Sequence, residues 1–246
     1  MKISKINLGT LCVNAFEMIM GVPEEKIREN YDVDEKNQMR IGMNTLIVEN
    51  GDRVLIIDPG TATFLPKSLE EEYKMEMDYA LEETVKMAGY SMNQITDVLF
   101  THLHFDHGSG AFLRVIGGIN KAFPNARYVV SKKQLDSIAD LSTEESTSYF
   151  HKLLRFAGEL KYFEDWAFEG ITFHTSHGHT EYMLVPVIDA GDLEILFASD
   201  LIPMKLQKEI GAWSYYDKDS ELLQKEKEKV FEALRPGFEI VYYHEE

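Results

Sequence analysis

Residues 97–107 read Asp-Val-Leu-Phe-Thr-His-Leu-His-Phe-Asp-His. Asp97 to Thr101 has the make-up of a short buried strand. Directly behind it, three imidazoles and one carboxylate fall within six positions. That run limits the fold more than any other feature. A buried strand has to end where it can deliver a cluster of polar side chains into a cleft. On an extended strand end residues 102 and 104 point the same way, so His102 and His104 can grip one cation. Asp106 and His107 follow on a turn and can face a second. Imidazole and carboxylate together suit zinc and the neighbouring first-row metals.

Four ligands on one loop cannot close two sites, so others have to arrive from elsewhere. Three later apolar segments end on suitable groups. One leads to Ser176-His177-Gly178-His179-Thr180, one to Phe197-Ala198-Ser199-Asp200 and one to Tyr242-Tyr243-His244. At the first of these His177 and His179 are both candidates. Asp58, behind Leu55-Ile56-Ile57, either orients a ligand imidazole or sits in a plain Asp-Pro-Gly turn.

The order Thr-His-x-His-x-Asp-His, Gly-His-Thr, an Asp behind a hydrophobic strand and a late His resembles the binuclear metallo-β-lactamase superfamily over nearly the whole chain. The resemblance implies an α+β fold, a four-layer αβ/βα sandwich with metals at one edge of the packed sheets. It implies that His102, His104 and His179 hold a first ion, that Asp106, His107 and His244 hold a second, and that Asp200 bridges them. The cofactor expected is a pair of divalent ions, zinc foremost, with iron or manganese as alternatives. Two such ions share a water and lower its pKa, which points to a hydrolase. Asp106 is then both ligand and proton carrier, the catalytic residue expected.

Within the superfamily the lactonase-like and organophosphate-hydrolase-like branches look most similar, on Ser199-Asp200-Leu201-Ile202-Pro203 and Trp213-Ser214-Tyr215-Tyr216-Asp217. The expected substrate is a small ester, a lactone or phosphotriester. Quorum-quenching lactonases often carry a Tyr where this chain has Pro203, so Tyr182, Tyr215 or Tyr216 is the available substitute. Phe64, Phe105, Met204, Trp213 and Tyr215 are candidate pocket walls. A thioester hydrolase of the glyoxalase II kind would use the same ligands but would add basic residues in a segment beyond His244. A non-catalytic metal-binding protein of this fold would be expected to have lost ligands, and none of the seven is missing.

Composition narrows the partners. A net charge of −17 repels phosphate backbones, so a small-molecule substrate is expected and nucleic acid is not. The lone Cys12 fits a reducing compartment. The N-terminus lacks the apolar run of a signal peptide, and no stretch is long enough for a membrane span. These features lead to the expectation of a cytoplasmic protein without membrane association. No linker interrupts the chain, and a single domain over 1–246 is expected.

Periodicity predicts strands at 43–49 and 53–57 joined by an Asn-Gly turn. It predicts a helix over 68–88 closed by Gly89, and helices at 132–141, 146–157 and 219–234. Strands are expected at 127–131, 171–175, 183–188, 194–198 and 239–243. Residues 20–37 read as a polar excursion.

Overall fold

The computed structural model describes every residue of the chain except 78, 143 and 144. Among the described residues the strands are β1 (Lys2–Asn14), β2 (Gln38–Asn50), β3 (Arg53–Ile57), β4 (Asp97–Leu99), β5 (Phe112–Val115), β6 (Gly118–Lys121), β7 (Arg127–Val130), β8 (Leu160–Tyr162), β9 (Ile171–Ser176), β10 (Met183–Asp189), β11 (Glu194–Ser199) and β12 (Glu239–Tyr242). With the helices between them they make the expected α+β protein. No helix among the described residues is long and apolar enough to cross a membrane.

The chain forms two compact units, each drawn from separated stretches of sequence. The first comprises Met1–Leu8, Asn44–Pro66 and Met77–Glu169; the second comprises Gly9–Met43, Lys67–Glu76 and Gly170–Glu246.

In the first unit β3, β4, β7 and β8 pair in parallel, with Leu55 opposite Asp97, Leu99 opposite Val129 and Tyr128 opposite Leu160. Parallel neighbours need crossovers, so each strand's C-terminal end leaves the sheet at the same side. Leu55–Ile57, Val98, Leu99 and Tyr128–Val130 are fully buried, as continuous apolar runs covered on both faces should be. Asn50-Gly51-Asp52 makes the predicted turn, with Gly51 at φ 60° and Asn50 paired to Arg53. At the N-terminal end of β4 the buried Asp97 collects Arg53, Arg127, Trp166 and Thr96 around its carboxylate.

In the second unit the sheet order is β12-β11-β10-β9, with β11 and β12 parallel and the other pairs antiparallel. A helix over Ser220–Ala233 covers it. Leu223 and Val230 from that helix join Met183, Val185, Leu196 and Ala198 in one apolar cluster.

The structure departs from the periodic reading in several places. The helix expected over 68–88 is two pieces, Lys67–Tyr73 and Leu81–Met87, and position 78 between them lies outside the described residues. Lys74 turns to φ 43°, and the backbone of Glu76 then exchanges hydrogen bonds with Thr10 at 2.7 and 3.0 Å, so a tertiary pairing overrides local helix preference. Residues 146–157 form 3₁₀ turns, Glu145–Ser148 and His151–Phe156, split where Tyr149 bridges to His104. The helix at 132 stops at Ser137. Residues 20–37 contain a helix, Glu24–Asn30, that buries Ile27. The β5–β6 hairpin lies outside the predicted strands, although its Gly117-Gly118 pair is a turn signal.

Candidate metal centre

The His cluster is mounted in the first unit on the turn that follows β4. Leu103 and Phe105 are buried, and that alternation turns His102 and His104 away from the apolar core, with Asp106 following on the next turn. His104 then starts a one-turn helix, Phe105–Gly108, closed by a bond from His107 N–H to His104 C=O at 3.2 Å. The Asp58-Pro59-Gly60 loop locks against this turn. Gly60 N–H donates to His107 C=O at 3.0 Å, and Gly110 N–H donates to Gly60 C=O at 2.8 Å. The approach is so close that a Cβ on Gly110 would lie 2.3 Å from the carbonyl oxygen of Pro59.

Asp58 is fully buried and strained, at φ 50°. Its carboxylate accepts the Thr101 N–H at 2.7 Å and the Thr101 hydroxyl at 2.5 Å, and lies 2.9 Å from Nδ1 of His107. Burial pushes its carboxyl above the usual carboxylate range, while His107 and Thr101 pull the other way. It is therefore the orienting partner of His107 rather than part of a plain turn. Nδ1 of His102 sits 3.1 Å from the Thr101 hydroxyl, and Nε2 of His102 is 3.0 Å from Nδ1 of His104. The His102 ring lies 4.0 Å from that of His107. Ligand atoms of Asp58, His102 and His107 fall within 4.8 Å of one another. Asp106 reaches 3.9 Å from Nε2 of His107, and the Tyr149 ring rests on His104 at 4.6 Å.

The second unit assembles the remaining candidates. His179 places Nε2 3.1 Å from Asp200 and Nδ1 2.8 Å from Asp217. Burial opposes its protonation, but Asp200 and Asp217 outweigh that and push His179 up to about 9. Asp200 follows a register shift between β11 and β12, with Ser199 at φ 45°; bulges of this kind re-aim the next side chain. His244, two residues from the end, is 3% exposed. It donates its N–H to Pro203, accepts from Gly42, and holds Nδ1 2.9 Å from the Gly42 carbonyl oxygen. Its Nε2 is 3.5 Å from Asp200.

So the first unit brings together His102, His104, Asp106 and His107, and the second brings together His179, Asp200 and His244. His177 is not beside Asp200. It pairs instead with Glu181 at 2.9 Å, and Glu181 in turn holds Lys218. Tyr182, at φ 57°, packs its ring edge-on against His177. Of the candidate pocket walls, Phe105 and Met204 are buried at 6% and 0%; Tyr215 stands exposed at 67%. Sequence reasoning missed Asp217 and Thr101. Asp217 closes the aromatic stretch already noted, but nothing local pairs it with a histidine.

The donor set fits a divalent cation. In His102, His107, His179 and His244 an oxygen faces Nδ1 and so fixes the ring. Metal-ligating imidazoles are held in this way, which leaves Nε2 for the ion. Nitrogen and carboxylate donors suit zinc, iron or manganese rather than calcium.

A family model described as the metallo-beta-lactamase superfamily matches residues 41–234. No curated protein sequence matches the chain significantly. Solved structures do. A probable metal-dependent hydrolase from Staphylococcus aureus is 22% identical, with a TM-score of 0.87 over 100% of this chain and 89% of its own. AidC, a dizinc quorum-quenching lactonase solved in complex with a product, is 17% identical, with a TM-score of 0.75 over 98% and 86%. AbOPH, a hydrolase of the beta-lactamase superfamily, is 20% identical, with a TM-score of 0.74 over 99% and 87%. At these identities the likeness establishes the shared fold.

Proposed function

Because the chain belongs to the metallo-β-lactamase superfamily, we propose that it is a metal-dependent hydrolase of small ester-type substrates, a lactone or phosphotriester foremost. The observation that carries this reading is the set of histidines whose Nδ1 atoms are each engaged by an oxygen, with His102 and His104 converging at 3.0 Å. A core histidine also needs a hydrogen-bond partner, but it has no need to stand beside a second imidazole as His102 stands beside His104.

His102, His104 and His179 would hold one ion; Asp106, His107 and His244 would hold the other; Asp200 would serve both. When bound, zinc ions polarise a substrate oxygen and make a water acidic enough to attack at neutral pH. The chain's own residues do the rest. Asp58 and Asp217 keep His107 and His179 in one tautomer and one orientation. Asp106 is a carboxylate with its side chain 14% exposed, so it can take a proton and hand it to a leaving group or to solvent. Tyr215 and Tyr216 are exposed next to Asp217 and would lie along an apolar acyl or aryl group. The substrate would be a neutral small molecule, since the net charge of −17 opposes approach of polyanions.

The test is elemental analysis of metal-replete protein, followed by kcat/KM over lactones, phosphotriesters, thioesters and phosphodiesters. Two metal ions per chain and a preference for lactones or phosphotriesters are expected. One ion or fewer removes the binuclear centre, and a clear preference for thioesters or phosphodiesters removes the substrate class.

A further inference from the structure

The helix over Ser220–Ala233 carries the run Lys225-Glu226-Lys227-Glu228, which by charge alone reads as a solvated face. Two of these residues are buried. Glu226 is 8% exposed and Lys227 is 0% exposed. Burying a charge is costly unless it is well paired, so each needs a reason to be there.

Glu226 has one. Its Oε2 accepts from the Ser176 hydroxyl at 2.6 Å, from Gly178 N–H at 3.0 Å and from His177 N–H at 3.1 Å; Oε1 takes the same His177 N–H at 2.9 Å. These donors are the backbone and side chain of the loop that leads into His179. The loop rests directly on the helix. A Cβ on Gly178 would lie 2.5 Å from Leu223 Cα, and Asp219 N–H donates to Gly178 C=O at 2.8 Å. Lys227 anchors a second segment to the same helix, donating to the carbonyls of Gln207 at 2.9 Å and Ala212 at 2.6 Å. That segment runs on to Asp217, which faces Nδ1 of His179.

We propose that Glu226 is a positioning residue for His179: its carboxylate fixes the Ser176–Gly178 backbone so that the imidazole meets Asp200 at the geometry a metal ion requires. The inference rests on the reading of His179 as a ligand. A carboxylate is needed because three donors converge on it. A glutamine would turn an NH₂ group toward one of the N–H groups it has to accept from.

The test compares Glu226→Gln with Glu228→Gln, an exposed neighbour on the same helix, in the full chain. Each protein is stripped of metal, reloaded with Co²⁺ for its visible absorption spectrum, and titrated with Zn²⁺ against a chelator. Glu226→Gln is expected to change the cobalt spectrum and to weaken Zn²⁺ binding about 10–100-fold, the effect typical of a lost orienting partner. Glu228→Gln is expected to match the wild type. A folded Glu226→Gln protein with an unaltered cobalt spectrum and zinc affinity overturns the proposal, even if its stability falls. Should Glu226→Gln fail to fold, Ser176→Ala removes one bond alone and is expected to shift the spectrum in the same direction; no shift overturns the proposal. A wild-type protein that takes up no cobalt would bring down the metal-site reading and this inference together.

Discussion

Replacing Asp97 with Asn tests how the sheet beneath the His cluster is held. Asp97 is buried at the start of β4, the strand that leads to the His102–His107 turn. Its Oδ1 accepts from Arg53 Nη2 at 2.9 Å and from the Trp166 indole at 3.0 Å. Its Oδ2 accepts from Arg53 Nε at 3.2 Å, Arg127 Nη2 at 2.9 Å and the Thr96 hydroxyl at 2.7 Å. Asparagine keeps one acceptor and points an NH₂ group at donors that cannot receive it. Breaking a buried ion pair from one side costs about 3–5 kcal/mol. Both arginines are partly exposed, at 30% and 51%, and can rehydrate, which lowers the figure to about 2–4 kcal/mol. In a chain of this length that corresponds to a melting temperature lower by about 4–16 °C.

The pH dependence follows from the same bonds. Burial works to raise the Asp97 carboxyl, but Arg53, Thr96, Trp166 and Arg127 prevail and hold it below the usual carboxylate range. A carboxyl depressed in the folded state stabilises fully above its unfolded pKa of about 3.9, and the contribution is lost as pH falls through the folded value. Urea unfolding of wild type and Asp97→Asn at pH 7 and at descending pH is the assay. The gap between the two should be full at pH 7 and close only below about pH 4. A gap below about 1 kcal/mol at pH 7, or one that does not narrow in acid, would refute the assignment of this stability to a buried, ionised Asp97.

Three further outcomes are expected. His104→Ala should lower hydrolysis by orders of magnitude while the far-UV circular dichroism stays native, because the apolar core does not depend on that side chain; near-normal turnover would show that the cluster is not the active site. Asp217→Ala should weaken zinc retention in chelator competition by about 10–100-fold, through loss of the acceptor that fixes the His179 tautomer; unchanged retention would show that Asp217 does not orient His179. Gly110→Ala forces a Cβ to within 2.3 Å of the Pro59 carbonyl oxygen, so it should cost about 1–3 kcal/mol in urea unfolding; a neutral effect would mean that the two loops are not locked as described.

The first-motif residues were legible because they are local. His102, His104, Asp106 and His107 share one strand end and one turn, so backbone geometry alone sets which way they point. His179, Asp200 and His244 were legible because each sits just past an apolar strand. Their surroundings were not. Asp58 reaches Thr101 and His107 because β3 and β4 are adjacent parallel strands, and no local pattern records that pairing. The choice of His179 over His177 beside Asp200 depends on Asp217 and on a loop seated against the Ser220–Ala233 helix. The break in the helix expected over 68–88 arises where the Glu76 backbone pairs with Thr10, far away in sequence. By itself the sequence determined which chemical groups the turn and the strand ends carry, since periods of two and of 3.6 residues are properties of neighbouring residues. Only the tertiary structure decided which oxygen faces each Nδ1 and which charges on a polar helix are buried, because those partners come together only after distant segments have packed.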